Sequence, residues 1–196
     1  MSTDLPQFKD VVAAHERIRK FVHRTPVLTS SGINDIFSSS LFFKCENFQK
    51  VGAFKFRGAT NAVLSLPEED VKLGVGTHSS GNHAAALALA ARMQGIQAHI
   101  VIPRTAPEIK KTAVRGYGGI ITWCEPTLES RETTMQEIID KTGVTFVPPY
   151  DHFNIICGQG TAAKELIARA GELDIVMGPV GGGGLISGTA ISTKGM

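Results

Sequence analysis

The stretch Gly52-Ala53-Phe54-Lys55-Phe56-Arg57-Gly58 contains a lysine suited to nucleophilic chemistry. The apolar run Leu41 to Cys45 reads as a buried strand, and Ala59 to Leu66 reads as a helix. Lys55 therefore falls in a turn or in a helix's first turn, where the positive end of the helix dipole opposes an ammonium. Arg57 adds a second opposing charge, and two phenylalanines exclude water. All three effects favour the neutral amine, the form that attacks a carbonyl and forms a Schiff base. The competing reading is a surface lysine whose stem runs past two core aromatics.

Two further stretches could hold anions. Gly181-Gly182-Gly183-Gly184 follows an apolar run and precedes a helix, so its N–H groups can converge on a phosphate. It fits neither the dinucleotide pattern nor the Walker pattern, which favours a small phosphate ester over a nucleotide. The bland alternative is a flexible turn. His78-Ser79-Ser80-Gly81-Asn82-His83 also joins a strand to a helix, and its hydroxyls and N–H groups suit a carboxylate. Simple helix capping by Ser80 or Asn82 accounts for it equally well. The two histidines lack the H-E-x-x-H spacing, so no metal site is expected. The carboxylates offer no catalytic pair, Arg131 reads most simply as a helix-face charge, and Gly158-Gln159-Gly160 reads as a loop of close backbone approach. An amine, a phosphate cup and a carboxylate loop are together what pyridoxal phosphate needs to act on an amino acid.

The elements that must position these groups alternate. From Gly74 to Val147 the pattern runs strand, helix, strand, helix, strand, helix, strand. That is the signature of a parallel sheet with helices on both faces, an α/β architecture. Before it, Phe8, Val11, Val12, Ile18, Phe21 and Val22 form one helical stripe, and Thr29-Ser30-Ser31 can cap a helix to Phe37. Leu66 to Asp70 reads as a polar loop. Gly95 reads as a left-handed helix stop, and Pro107 as a helix start. After Pro148-Pro149 a loop leads to a helix over Thr161 to Ala170, then a short strand over Asp174 to Met177. The two prolines read as a domain boundary. The chain stops inside a new helix, so an incomplete polypeptide is expected.

Composition narrows the class. The chain has 196 residues, 42% hydrophobic and 19% charged, enough for a real core. A net charge of +2 does not argue for nucleic acid or an anionic membrane. The N-terminal stretch to Lys9 has no apolar signal-peptide core, and no apolar run is long enough to span a membrane. Cys45, Cys124 and Cys157 are widely spaced, as expected of free thiols in a reducing compartment, by default the cytoplasm.

Phe43 to Lys50, Gly52 to Gly58, Ser79 to His83, Pro148 to His152, Gly158 to Thr161 and Gly181 to Gly184 together resemble the serine racemases and the related serine/threonine dehydratases, in particular the fungal serine racemase type. The resemblance covers essentially the whole chain. It implies a fold-type II pyridoxal-phosphate enzyme with two parallel-sheet, three-layer domains. Residues 1–73 and 152–196 would form the larger, here incomplete, and residues 74–151 the smaller. It implies Lys55 as Schiff-base lysine and base on one cofactor face, and Ser80 as the group on the other. Phe54 and Asn82 would contact the cofactor, and Gly181, Gly182, Gly183 and Gly184 would hold its phosphate. Ser79, Ser80, Asn82, His83 and Arg131 would bind substrate. The implied reactions are racemisation of serine and dehydration of serine, threonine or 3-hydroxyaspartate, in a homodimer. A divalent cation, Mg or Ca, is expected, with ligands beyond Met196. Ser30, Ser31 and Lys50 are the nucleotide candidates. Val51 replaces the threonine of animal enzymes, and Tyr150 replaces their asparagine, which argues against ATP activation. The alternatives are a non-catalytic fragment that associates with a full-length subunit, and a β-replacement enzyme of the cysteine synthase kind.

Overall fold

The structure, a computed structural model, describes residues 5–196, so Met1 to Asp4 of the N-terminal stretch lie outside it. Helix α1 (Phe8–Ile18) starts at a reciprocal Gln7–Asp10 cap and buries Val11, Ala14 and Ile18, a helical stripe. Strands β1 (Val27–Leu28) and β2 (Phe43–Lys44) pair antiparallel around α2 (Ser31–Phe37), whose Ser30 cap forms as expected. Two tight turns, Glu46–Phe48 and Lys50–Gly52, lead into α3 (Lys55–Leu64). The short α4 (Glu68–Val71) occupies the expected polar loop.

Next come β3 (Val75–His78), α5 (Asn82–Met93), β4 (Ala98–Pro103), α6 (Glu108–Gly116), β5 (Ile120–Cys124), α7 (Leu128–Thr142) and β6 (Thr145–Phe146). All four strands are parallel, in the order β5-β4-β3-β6, as the alternation requires. Side chains of β4 alternate between two cores. Ile100 and Ile102 join the larger core with Leu87 of α5, whereas Val101 joins Met135 of α7 on the other face. Helices α8 (Phe153–Ala170) and α9 (Gly184–Gly195) pack on α1 and α3 beside this unit.

Three expectations change. The Leu41–Cys45 strand shrinks to a two-residue edge pair in which Phe43 is 42% exposed. Asp174 to Met177 forms no strand, because it has no partner among the described residues and leaves Met177 82% exposed. Gly158 to Gly160 is not a loop but the interior of α8. The other sheet among the described residues is the antiparallel pair β1–β2.

Candidate active site

Lys55 is the first residue of α3. The chain reaches it through Val51 and Gly52, both left-handed with φ of 59° and 68°. That conformation suits glycine but costs a β-branched valine. The half-buried Lys55 amine donates to the Pro149 carbonyl at 2.5 Å and lies 5.4 Å from the Phe54 ring centroid. Burial lowers its pKa, which favours the neutral amine.

Arg57 does not contribute to that shift, contrary to expectation. Residues two apart on a helix point to opposite sides. The fully buried guanidinium instead meets Glu46 at 2.7 Å and Glu165 at 2.9 Å, and Lys44 reaches Glu165 at 2.7 Å. Burial opposes the arginine's charge, but hydrogen bonds to Glu46 and Glu165 outweigh it and raise its pKa. This network ties α3 to α8 and β2, anchoring the helix from which Lys55 projects.

The Ser79–His83 stretch lies between β3 and α5. Ser79 Oγ accepts from the Gly81 N–H at 3.3 Å, and Asn82 is the exposed first residue of the helix. His83 is 2% exposed, and its Nε2 lies 3.0 Å from the Val147 carbonyl. A carbonyl can only accept, so Nε2 carries the proton and Nδ1 a lone pair; Nδ1 is buried without a partner. Burial, with the Lys55 and His78 charges, outweighs the Val147 bond and lowers the pKa to about 4. The neutral ring has no free N–H for a carboxylate. The serine hydroxyls, the exposed Asn82 amide and the main-chain N–H groups in the first turn of α5 remain to donate.

The glycine run opens α9. Gly183 is left-handed, with φ of 88°. A Cβ on Gly182 would come within 2.2 Å of the Tyr150 ring, and one on Gly184 within 2.9 Å of the Tyr150 carbonyl. Lys55, His83 and the glycine run therefore converge on one segment, Val147 to Tyr150. In the sequence alone its two prolines read as a domain boundary. The available signal was their missing N–H groups, which exclude them from a sheet interior.

The remaining candidates lie elsewhere. Arg131 is on α7, across the sheet from α5, where its charge lowers the pKa of a Cys124 thiol that burial raises. Its Nε is buried without a partner. Ser30 caps α2 by accepting from the Ile33 N–H at 3.4 Å, and Ser31 is exposed. Lys50 lies 5.6 Å from the Phe56 ring centroid. Phe54 lines a cavity of about 330 Å³ together with Leu166, Met177, Leu185 and Thr189. Among the described residues no cluster of His, Cys, Asp or Glu could hold a metal, and no helix is long and apolar enough to cross a membrane.

Residues 18–195 match the family of pyridoxal-phosphate dependent enzymes, and the chain belongs to that family. Among its relatives, a beta-hydroxyaspartate dehydratase of Paracoccus denitrificans is 53% identical over 96% of this chain and 60% of its own length. A serine racemase of Schizosaccharomyces pombe is 52% identical over 97% of this chain and 59% of its own. The solved serine racemase of Dictyostelium discoideum superposes with a TM-score of 0.94 at 47% identity, covering 97% of this chain and 62% of that one. The chain thus spans about three-fifths of the length of these relatives. The residues present fit the cofactor. A partly buried amine favours its neutral form, and the start of α9 is a cradle that a side chain at 182 or 184 would fill.

Proposed function

We propose that this chain carries the amine, the phosphate cup and the carboxylate loop of an enzyme that removes the α-proton of serine or a related β-hydroxy amino acid. The outcome is racemisation of L-serine to D-serine, dehydration of serine, threonine or 3-hydroxyaspartate to a keto acid and ammonia, or both. The observation that carries this reading is the convergence of Lys55, His83 and Gly182 on Val147 to Tyr150. The dehydratase and racemase relatives support both outcomes.

When bound, pyridoxal phosphate supplies an aldehyde for the amine and an electron sink for the charge left by proton removal. Lys55 would be the amine that holds the aldehyde and would serve as the base on one face. Ser80 serves the opposite face. Racemisation needs both, because a proton must leave from one side and return from the other. Phe54 would pack beside the cofactor ring and Asn82 would hydrogen-bond its oxygen. The N–H groups after Gly181, Gly182, Gly183 and Gly184 take the phosphate. Ser79, Ser80, Asn82 and the main chain of His83 hold the substrate carboxylate. Arg131 contributes only if α7 approaches the substrate.

Residues 1–73 and 152–196 belong to the larger domain and 74–151 to the smaller, in a cytoplasmic homodimer. Divalent cation control would come from outside these residues, and nucleotide contacts at Ser30, Ser31 and Lys50 without ATP activation. A second reading is a non-catalytic fragment that associates with a longer subunit. Ile175 and Met177, 75% and 82% exposed beside the apolar cavity, favour such association.

Borohydride reduction of the intact protein with cofactor, followed by peptide mapping, tests the central assignment. The label is expected on Lys55, and a label on any other lysine removes it. No label, with a stable complex to a longer subunit, selects the fragment reading.

A further inference from the structure

Helix α8 carries Gly158 and Gly160, two residues apart and so on opposite flanks. On one flank a Cβ at Gly158 would lie 2.6 Å from Gly58 Cα and 2.8 Å from the Arg57 carbonyl. On the other, a Cβ at Gly160 would lie 2.8 Å from the Gly188 carbonyl, and one at Gly188 would lie 2.5 Å from both Gly160 N and the Ile156 carbonyl. Backbone thus touches backbone on both sides of α8. Gly58 lies one turn beyond Lys55 on α3, and Gly188 one turn beyond Gly184 on α9. The amine and the phosphate cup are each one turn from a glycine contact with the same helix.

We propose that Gly58, Gly158, Gly160 and Gly188 are positioning residues that set the separation between the Lys55 amine and the cup at Gly181 to Gly184. The proposal rests on the cofactor reading above. Two side-chain links secure the same crossings. Ser192 donates to the Gly160 carbonyl at 2.8 Å, and Gln159 accepts from the Gly58 N–H at 3.3 Å. A ligand with an aldehyde at one end and a phosphate at the other requires both helix starts at one fixed spacing. A methyl group at either crossing must push the helices apart by about 1 Å to restore ordinary contact. A misplacement of that size is large for a preorganised site, on the order of 10²-fold in catalysis. Glycines serving close packing alone would lower stability without distinguishing one end of the ligand from the other.

The test measures dissociation constants of pyridoxal phosphate, pyridoxal and inorganic phosphate on the intact protein. Gly188→Ala moves the cup. Pyridoxal phosphate is expected to weaken by about tenfold or more while pyridoxal changes by less than about threefold, so the preference for the phosphorylated form collapses. Gly158→Ala moves the amine. Both aldehydes should weaken together while inorganic phosphate binds as before. Equal weakening of all three ligands by both variants, or an unchanged preference in folded Gly188→Ala, overturns the proposal. Should an alanine variant fail to fold, Ser192→Ala decides. It removes one α8–α9 link without adding volume and should cut the preference by about two- to threefold, and no change there counts against the proposal. Borohydride labelling separates the two levels. A label away from Lys55 removes the cofactor reading and the proposal with it, whereas a Lys55 label with an unchanged preference removes the proposal alone.

Discussion

The entrances to α5 and α9 use the same backbone device in different surroundings. Neither has a side-chain cap, and each opens a 12-residue helix. At α5 the approach is half-buried, carries two serines and ends on a buried neutral histidine. At α9 Gly181 and Gly182 are exposed, and the cradle is backbone resting on Tyr150. Helix polarity favours an anion at both. Only α5 also carries groups that hold or move a proton. The two entrances are not equivalent: α9 offers backbone alone, whereas α5 adds two serine hydroxyls and a buried imidazole.

The largest expected effect separates proton handling from binding at α5. Ser80→Ala should slow serine racemisation by about 10³-fold, while elimination from L-serine is better retained. D-serine and pyruvate measured in one assay check this, and equal loss of both in a folded, cofactor-loaded protein breaks the distinction.

A smaller effect concerns pH. His83 titrates at about 4 in the folded chain against an ordinary 6.5, so the unfolded chain binds its proton first. The stabilisation is complete above pH 6.5 and is lost as pH falls from 6.5 towards 4. It amounts to on the order of 3 kcal/mol. His83→Gln should flatten that slope in urea melts at successive pH values. The α9 entrance, which has no titratable group at residues 181–184, should contribute none.

The smallest effect sharpens the α9 side. Gly182→Ala drives a methyl group into the Tyr150 ring and should weaken inorganic phosphate binding by about tenfold. The Gly182→Ala/Tyr150→Ala double variant should recover most of it by equilibrium dialysis. Failure to recover would mean the cup does not rest on Tyr150.

Local signals gave reliable elements wherever the periodicity was strong. The alternation from Gly74 to Val147 yields the four-stranded parallel sheet, and Gly95 ends α5 with a φ of 70° as a left-handed stop. Reading failed where a partner distant in sequence decided. Arg57 looked like a neighbour charge for Lys55 until Glu46 and Glu165 claimed it on the other side of α3. Gly158-Gln159-Gly160 looked like a loop because glycine is a poor helix former. Its value lies in close contact with α3 and α9, which no local pattern reveals. The apolar run at Asp174 to Met177 looked like a strand, yet a strand exists only when another pairs with it.

The sequence by itself determined which groups are available: one lysine at a helix start, two helix entrances free of bulky side chains, and an α/β alternation to carry them. Those follow from residue type and spacing, which act over a few residues. Only the tertiary structure decided that the Lys55 amine meets Pro149, that His83 keeps its proton on Nε2, and that α8 binds α3 and α9 through glycines on opposite flanks. These depend on contacts between residues far apart in the chain, and the burial that sets their protonation does not exist until the helices and the sheet have packed.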